Sequence, residues 1–429
     1  MLRQEDAVLV FLSDVHLTDG SSGETIKPTA FRIFAENLRK LADSVSPLEE
    51  IRLVLLGDIF DIIRSMEWVA DTVAIRPWDP AGPAQEKVVA KILQGIITNN
   101  RQSLDELLTL RAYAQTKNVP FEVTYIIGNH DWLINRYPSC INMVQAALGM
   151  DPVTAPSPFS SELFASSYKV LARHGDIYDK FNYMGNRDAS SIGDAVVIEL
   201  LNKYPHKVDT ALSVLVNGGE VSQAEKDKIT SLLKELDNIR PLLDLPSWVL
   251  MVVNRTENAA ARKAIEDAWD ACVDAFFQVP FIMKQDKFLW PDTIDRLQIA
   301  LRLSSHISTK LLEKVTELKA KLFPAQLEGD YHKDAFAEQK VRSGEANFVL
   351  YGHTHDYVIV PMDQVPLSDG TIQDKVYFNT GTWRKTWNKV LFDHQQREFI
   401  GWHVLTYVAV FKPTENGSYN FEVWNAALG

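Results

Sequence analysis

Residues 7–16 have the sequence AVLVFLSDVH, an apolar run that ends in a polar cluster. The six apolar residues from Ala7 to Leu12 have the length of a strand, and a nearly continuous apolar strand is typical of a sheet covered on both faces. Asp14 and His16 follow where such a strand would end. The stretch therefore predicts a buried strand with an aspartate and a histidine at its carboxyl end.

The same arrangement recurs three times in the first half of the chain. Residues 51–56, 121–127 and 168–172 are further apolar stretches of strand length, and each of them ends at a polar cluster. Residues 28–41 and 86–114 have apolar side chains at helical spacing and lie between these stretches. This alternation of strands and helices predicts an α/β fold.

The pattern changes from about residue 181 to residue 344. Long segments there, such as residues 224–239, have apolar residues at helical spacing, and several prolines interrupt them. Strands are then predicted again at residues 347–351, 357–361, 375–379, 401–411 and 418–424. We therefore expect one α/β domain, residues 1–180 with 345–429, interrupted by a helical insertion or lid at residues 181–344.

The charge balance and the cysteine content argue against several classes of function. Asp and Glu total 56 against 44 for Lys and Arg, and the formal net charge of −12 disfavours broad binding to nucleic acid or to an anionic membrane. Cys140 and Cys272 are far apart and indicate neither a disulfide framework nor a cysteine metal site. No stretch is typical of a signal peptide or a membrane span, so we expect a cytoplasmic protein.

Five short polar clusters lie at predicted strand ends and contain five of the ten histidines. They are Asp14-Val15-His16, Gly57-Asp58-Ile59-Phe60-Asp61, Gly128-Asn129-His130-Asp131, His174-Gly175-Asp176 and Gly352-His353-Thr354-His355. Ligands of open α/β sheets gather at the carboxyl ends of strands, so we expect these distant clusters to converge on one crevice. Their carboxylate, imidazole and amide groups suit manganese, iron or zinc, whereas magnesium alone prefers more oxygen.

The spacing within the clusters predicts how their side chains are aimed. In an extended segment, alternate residues point to the same face, so Asp14 and His16 can reach one ion. The same argument applies to His353 and His355. Three clusters also begin with a glycine, which suits a tight turn or a close approach of the backbone at the strand exit.

In their order along the chain, the motifs D-x-H, G-D-x-x-D, G-N-H-D, H-G-D and G-H-T-H resemble those of the calcineurin-like metallophosphoesterase family. The resemblance covers residues 7–176 and 347–411 and leaves the insertion unmatched. It implies a sandwich of two mixed β-sheets flanked by helices, with a large helical insertion. It also implies that a hydroxide bridging two divalent metal ions hydrolyses a phosphate ester or a diphosphate.

Carried over residue by residue, the resemblance implies two sets of metal ligands. One ion would be held by Asp14, His16, Asp58 and His355. The other would be held by Asp58, Asn129, His174 and His353, so that Asp58 bridges the two. Manganese is the expected metal, with iron, zinc or magnesium as alternatives.

The resemblance leaves His130 off the metals and facing the substrate. There it would act as a general acid or as a cationic group beside the phosphoryl group, and we expect the neighbouring Asp131 to orient it. Asp61 and Asp176 are expected to support the site or to contact substrate. The alternative for Asp61, Asp131 and Asp176 is a role as helix cap or turn former.

Other basic and aromatic residues near the motifs are weaker candidates. Arg384 and Lys385 either contact an anionic substrate or form a solvated charged pair, and the solvated pair is the commoner case. Arg187, Tyr178 and Tyr183 lie just beyond the H-G-D motif and are candidates for substrate contact.

The other histidines and the aromatic residues of the insertion can be explained without a role at the site. Histidines outside the motifs are expected at the surface or in the core, namely His206, His306, His332, His394 and His403. The insertion has an apolar concentration formed by Phe276, Phe277, Phe281, Phe288, Leu289 and Trp290. These side chains form either the small core of the insertion or a groove for an acyl or other hydrophobic group.

Several functions stay open within this resemblance. The opening S-D-V-H-L and the place of the insertion are similar to the UDP-diacylglucosamine pyrophosphatases, but those enzymes usually have arginine where this chain has His130. We expect a small-molecule or a lipid-linked phosphate as substrate, and peripheral membrane contact through the insertion stays open. An SbcD-like nuclease is disfavoured by the acidic charge. A non-catalytic scaffold is disfavoured by the complete set of motifs.

Overall fold

The first strand divides its side chains between two hydrophobic cores. Val8, Val10 and Leu12 belong to a core under helices, whereas Leu9 and Phe11 belong to a core shared with a second sheet. Successive side chains of a strand point to opposite faces, so one uninterrupted apolar run serves both cores. The predicted coverage of this strand on both faces is confirmed.

The computed structural model describes residues 6–44, 48–151, 155–240, 244–285, 297, 301, 331–366, 370, 372–390, 399–412 and 421–428. The strands within these ranges are β1 (Asp6–Leu12), β2 (Leu48–Leu56), β3 (Phe121–Ile126), β4 (Glu162–Ala165), β5 (Val170–Arg173), β6 (Ile239–Arg240), β7 (Phe348–Tyr351), β8 (Tyr357–Pro366), β9 (Ile372–Thr380), β10 (Lys385–Lys389), β11 (Phe399–Phe411) and β12 (Phe421–Leu428).

The α-helices in the same ranges are α1 (Pro28–Ser44), α2 (Pro83–Asn99), α3 (Arg101–Thr116), α4 (Pro138–Ala147), α5 (Ile192–Val196), α6 (Lys203–Asn217), α7 (Gln223–Lys234), α8 (Leu245–Arg255), α9 (Ala259–Phe277), α10 (Pro280–Gln285), α11 (Tyr331–Ala337) and α12 (Gln339–Arg342). A π-helical stretch, Val197–Asn202, joins α5 to α6. None of the described helices is long and apolar enough to cross a membrane.

Both sheets are mixed. The first has the order β3-β2-β1-β11-β10-β6, with β12 paired to β11, and its strands β1, β2 and β3 are parallel. The second has the order β4-β5-β7-β9-β8, and β5, β7 and β9 are parallel. The prediction of an α/β fold with two mixed sheets and flanking helices is confirmed.

The two sheets pack face to face with helices on the outer faces. The inner core joins Phe11 and Val54 of the first sheet to Phe348 and Phe378 of the second. A large core on the other face of the first sheet holds α1, α2 and α3. A smaller core covers the outer face of the second sheet and includes Ala335 of α11. The layers are therefore helix, sheet, sheet and helix.

The segment predicted as an insertion is mostly helical in its described part, but it also supplies a strand. Ile239 of β6 pairs in parallel with Trp387 of β10, so the segment extends the edge of the first sheet. The predicted helix at residues 224–239 ends earlier, because α7 stops at Lys234 and the chain turns into β6. Its helices share one core with α1, α2 and α3.

The aromatic side chains of this segment lie in the core where the structure describes them. Phe276 and Phe277 are buried, and Phe281 stacks on Trp78 with ring centroids 5.2 Å apart. This favours the interpretation of these residues as core rather than as an open groove. Phe288, Leu289 and Trp290 lie outside the described residues.

Candidate metal centre

The loops that follow β1, β2, β3, β5 and β7 meet at one edge of the sandwich. Because β1, β2 and β3 are parallel, and β5 and β7 are parallel, the carboxyl ends within each set lie at the same edge. The structure brings together all seven residues that the sequence predicted as metal ligands, namely Asp14, His16, Asp58, Asn129, His174, His353 and His355.

Asp14, His16 and His355 form the first group, and their ligand atoms lie within 4.8 Å of one another. His16 Nε2 is 3.0 Å from His355 Nε2. Asp14 Oδ1 is 3.7 Å from His16 Nε2 and 3.4 Å from His355 Nε2. Two atoms that each lie about 2.1 Å from one ion are about 3.0 to 3.4 Å apart at octahedral or tetrahedral angles. Two of the three distances fall in this range and the third, 3.7 Å, is slightly longer, so the group is close to the spacing of a site for a small divalent cation.

Asp58, His174 and His353 form the second group, again within 4.8 Å. His174 Nε2 is 3.1 Å from Asp58 Oδ2 and 3.1 Å from Asn129 Oδ1. Asn129 Oδ1 is also 3.0 Å from His353 Nδ1. The amide oxygen of Asn129 thus faces both imidazoles, which places this residue in the second group.

One oxygen of Asp58 joins the two groups. Asp58 Oδ2 is 3.1 Å from His174 Nε2 in the second group and 3.8 Å from His16 Nε2 in the first. The other oxygen, Oδ1, accepts a hydrogen bond of 2.8 Å from the backbone N–H of His130. This bond fixes the carboxylate, so Oδ2 stays directed between the two groups.

Five of the seven predicted ligands have a left-handed backbone conformation. Their φ angles are 51° at Asp14, 49° at His16, 55° at Asp58, 71° at His353 and 67° at His355. Residues other than glycine rarely adopt such angles, and strained backbone of this kind clusters at functional sites. The prediction that the D-x-H and H-T-H segments are extended is wrong, although both members of each pair reach the centre.

Glycines allow the loops to approach closely. A Cβ atom added at Gly128 would lie 2.2 Å from Asp58 Oδ1, and one added at Gly352 would lie 2.4 Å from Asp14 Oδ2. The glycine before Asp58 likewise leaves room for the ring of His174. The predicted close approach of the backbone is confirmed, because a side chain at these positions would overlap a ligand.

The donor set fits divalent cations. Asp14 Oδ1 is buried and has no hydrogen-bond partner in the described part of the chain. A buried carboxylate oxygen without a partner is costly, and a cation between the two groups would satisfy it. Carboxylate, amide and imidazole donors without a thiolate match manganese, iron or zinc.

The charges of the centre shift the pKa of its members. Burial alone would lower the pKa of His174, but the negative charges of Asp58 and Asp14 outweigh it and raise that pKa to about 10. Burial would raise the pKa of Asp14, yet the neighbouring histidines, His174 foremost, hold it well below its usual value. Burial and the nearby charge of Arg240 lower the pKa of His355. The metal-free centre is thus an ion-paired network of carboxylates and imidazolium.

His130 lies beside the two groups and keeps 16% of its side chain exposed. Its Nδ1 is 2.9 Å from Asp61 Oδ1, and Asp61 Oδ2 is 2.9 Å from His16 Nδ1. His16, Asp61 and His130 also form a third compact group of possible ligands. One carboxylate therefore orients both a predicted metal ligand and the predicted acid.

The expected orientation of His130 by Asp131 is wrong. Asp131 is buried, and its carboxylate accepts hydrogen bonds from the backbone N–H groups of Gly128 and Ile59 and from the hydroxyl of Tyr125. The side chain folds back onto its own turn, so it acts as a turn former. Burial and the charge of Asp58 raise the pKa of Asp131 to about 6.

Two residues that the sequence did not indicate contact imidazole nitrogens of the predicted ligands His353 and His355. Asp179 Oδ2 is 3.1 Å from His353 Nε2. Arg240 Nη2 lies 2.8 Å from His355 Nδ1 and 3.4 Å from His355 Nε2, although the two residues are 115 positions apart in the chain. The first is an isolated aspartate in a turn and the second lies in the helical segment, so no local motif marks either residue.

The structure places the weaker candidates for substrate contact in different surroundings. Asp176 pairs with Arg187, whose guanidinium lies 5.1 Å from the ring centre of Tyr183. A small cavity opens beside the second group, and it is lined by Asn129, Trp132, Asn182, Tyr183, Asn186, Arg187, Ala189, Ser191 and Asp194. Tyr178 instead donates to Glu338, at 2.6 Å. Arg187 and Tyr183 therefore line a cavity at the centre, and Tyr178 is engaged elsewhere.

Arg384 and Lys385 do not form the expected solvated pair. Arg384 is buried and pairs with Asp237, and Lys385 lies 4.0 Å above the ring centre of Trp387. Of the histidines outside the motifs, His206 and His403 are exposed and His332 is partly buried, while His306 and His394 lie outside the described residues. None of the described three belongs to a ligand group.

Comparison of the chain with models of known protein families gives no match, and no curated protein matches it significantly.

Proposed function

We propose that this chain is a metal-dependent hydrolase of phosphate esters or diphosphates, with the metallophosphoesterase type of sandwich and residues 181–344 as its insertion. The observation that carries the proposal is the position of Asp58 Oδ2, which faces His174 at 3.1 Å and His16 at 3.8 Å. Two ligand groups that share one carboxylate oxygen suit a pair of ions. Such a pair, when bound, supplies Lewis-acid activation of water and of the phosphoryl group.

The ligand assignment follows the two groups. Asp14, His16 and His355 would hold one ion, with Asp58 shared. Asn129, His174 and His353 would hold the other. Manganese is the metal that we propose first, because the groups mix oxygen and nitrogen donors and contain no sulfur.

His130 is the residue that we propose for proton transfer to the leaving group. Its Nδ1 contacts Asp61, which leaves Nε2 as the nitrogen able to exchange a proton with substrate. Its partial exposure beside the closed ligand groups supports access to a bound ester. The contact with Asp61 also fixes the orientation of the ring, which proton transfer to a bound ester requires.

For the substrate we propose a small-molecule or lipid-linked phosphate in the cytoplasm. The net charge of −12 disfavours nucleic acid as a broad partner. The cavity beside Asn129 offers Arg187 and Tyr183 to whatever part of the substrate lies there.

A direct test measures hydrolysis by protein loaded with manganese, iron, zinc or magnesium. The substrates are p-nitrophenyl phosphate, its bis-ester, nucleotide diphosphates and a short DNA. We expect metal-dependent turnover of an ester or a diphosphate, and a loss of about 100-fold or more in Asp58→Asn. Asp105→Asn, which changes an exposed side chain on α3, is the matched control.

A chain that binds two ions and hydrolyses none of these substrates contradicts the proposal. Turnover of DNA alone, with affinity that falls steeply as salt rises, would favour a nuclease instead.

A further inference from the structure

Arg187 lies in the wall of the small cavity beside the second ligand group. Asn129, a predicted ligand of that group, lines the same cavity, and so does Trp132, which closely follows it in the chain. Arg187 is the one basic residue in the described lining, and it keeps 22% of its side chain exposed. The cavity therefore places a cationic side chain, open to a ligand, next to the predicted metal centre.

Two contacts hold the guanidinium of Arg187 in place. Its Nη2 donates a hydrogen bond of 3.0 Å to Oδ1 of the buried Asp176, and its Nη1 donates to Oδ2 of the same carboxylate. The guanidinium carbon lies 5.1 Å from the ring centre of Tyr183. A side chain that is already held on two sides loses little freedom when it binds a ligand.

The pair with Asp176 leaves part of the guanidinium available. A guanidinium has five N–H donors, and this end-on pair uses one on each terminal nitrogen. Within the described residues, Asp176 is the one hydrogen-bond acceptor of Arg187. The remaining edge, formed by Nε–H and an adjacent terminal N–H, is a second fork that can bind two oxygens. Arg187 can therefore bind another anion while it keeps Asp176.

The one carboxylate in the same described lining is engaged by donors of its own surroundings. Asp194 Oδ2 accepts hydrogen bonds from the hydroxyl of Ser190 at 2.6 Å, from the backbone N–H of Ser191 at 3.1 Å and from Trp132 Nε1 at 3.1 Å. Asp194 Oδ1 accepts from the hydroxyl of Ser191 at 3.0 Å. These four donors offset its negative charge, so it opposes a bound anion less than an unpaired carboxylate would.

The place and the size of the cavity limit what Arg187 can bind. In the proposed reaction the phosphoryl group under attack lies at the ligand groups, so the cavity beside Asn129 receives what is attached to that phosphoryl group. The cavity is small and its lining is mostly polar. It suits the oxygens of a second phosphate better than a base or an acyl chain, which require a larger apolar pocket.

We propose that Arg187 binds the second phosphate of a diphosphate substrate and so selects diphosphates over monoesters. Asp176 and Tyr183 are positioning residues, which hold the guanidinium. This role rests on the proposed function and deepens it, because it names the substrate class. A monoester carries no second phosphate, so its binding should not depend on Arg187.

Two affinities of the manganese-loaded full chain test the proposal without turnover. The ligands are inorganic phosphate and methylene diphosphonate, a diphosphate analogue that cannot be hydrolysed, and calorimetry measures both. The double variant Asp176→Asn/Arg187→Met removes the pair together, because Asp176 alone would be a buried charge without its partner. We expect the ratio of diphosphonate to phosphate affinity to fall about 10-fold, because a charged, bidentate contact is lost.

A conservative variant and a matched control accompany the double variant. Arg187→Lys keeps the charge but not the fork, and we expect the ratio to fall by about 3-fold. It decides the matter if the double variant does not fold. Arg76→Met is the control, because Arg76 also pairs with a buried carboxylate, that of Glu199, and has a similar exposure of 18%. Its ratio should equal that of the wild type.

The ratio separates loss of this contact from general damage to the centre, which would weaken both ligands alike. An unchanged ratio in the variants of Arg187 overturns the proposal, and so does a wild type that binds the diphosphonate no more tightly than phosphate. A chain that shows the expected ratios and cleaves no ester or diphosphate keeps this anion site and loses the hydrolase proposal. A chain that hydrolyses p-nitrophenyl phosphate with unchanged ratios does the reverse.

Discussion

His16 and His355 face each other through their Nε2 atoms, which lie 3.0 Å apart although the two residues are 339 positions apart in the chain. Two imidazole lone pairs at this distance repel each other unless a proton or a cation lies near both. Asp14 lies beside both nitrogens and contributes the negative charge that attracts such a cation. This pair is therefore central to the first group of predicted ligands.

Removal of one imidazole from this pair should remove one ion. In His355→Ala we expect the manganese content to fall from two ions per chain to about one, because the second group keeps all of its own ligands. The measurement is elemental analysis after dialysis against a limiting metal buffer. His206→Ala, which changes an exposed histidine on α6, is the control. A variant that still holds two ions would contradict the assignment of His355.

Asp61 should matter for chemistry through the two histidines that it contacts. In Asp61→Asn only one oxygen remains to accept hydrogen bonds from both His16 and His130, so at least one ring loses its orientation. We expect activity to fall about 10- to 100-fold, as is usual when a residue that orients a ligand is replaced. Asp105→Asn should have no effect. Full activity in Asp61→Asn would show that neither ring depends on this carboxylate.

Gly128 should be intolerant of a side chain. A Cβ there would overlap Asp58 Oδ1 at 2.2 Å, so Gly128→Ala must displace the shared carboxylate. We expect a loss of about 1 to 3 kcal/mol in the free energy of unfolding and fewer than two bound ions. Gly82→Ala is the control, because a Cβ at Gly82 meets no atom within 4 Å. Urea unfolding and metal analysis provide the two measurements, and equal results for both variants would contradict the close approach.

Metal binding should release protons. The pKa of His174 is raised to about 10 in the metal-free centre, so this imidazole is protonated at neutral pH. It must lose that proton to become a ligand. The carboxyl of Asp14 has a lowered pKa and is already ionised, so it releases none. The affinity for manganese should therefore rise with pH between 6 and 9, by up to about 10-fold per pH unit.

Calorimetry in two buffers of different ionisation enthalpy measures this release directly. We expect close to one proton released at pH 7.5 from His174. Heats that do not depend on the buffer would mean that the centre is not protonated before the ion binds. The affinity of His174→Ala for manganese should depend less steeply on pH, and the raised pKa of His16 should maintain the part that remains.

The sequence predicted those features of the fold and of the site that follow from repeated local patterns. Apolar strands that end in aspartate, asparagine or histidine predicted both the α/β layers and the convergence of the seven ligands. Each of these residues lies within four residues of the end of a strand. Its position in space is therefore set by sheet topology, and sheet topology follows from the order of strands and helices.

Contacts made across the fold were not predictable in this way. Asp61 rather than Asp131 contacts His130, because Asp131 is engaged by the backbone of its own turn. Arg384 was expected in solvent, but the strand β6 brings Asp237 against it. Asp179 shows no motif at all. Such partners depend on tertiary packing, which periodicity and spacing do not encode.

The most direct test of the central claim is anomalous diffraction from crystals of the manganese-loaded protein. We expect two peaks about 3.5 to 4 Å apart. One should lie among Asp14, His16 and His355, the other among Asn129, His174 and His353, with Asp58 touching both. A loaded crystal with no peak at these residues, or with a single ion that Asp58 does not touch, would contradict the account.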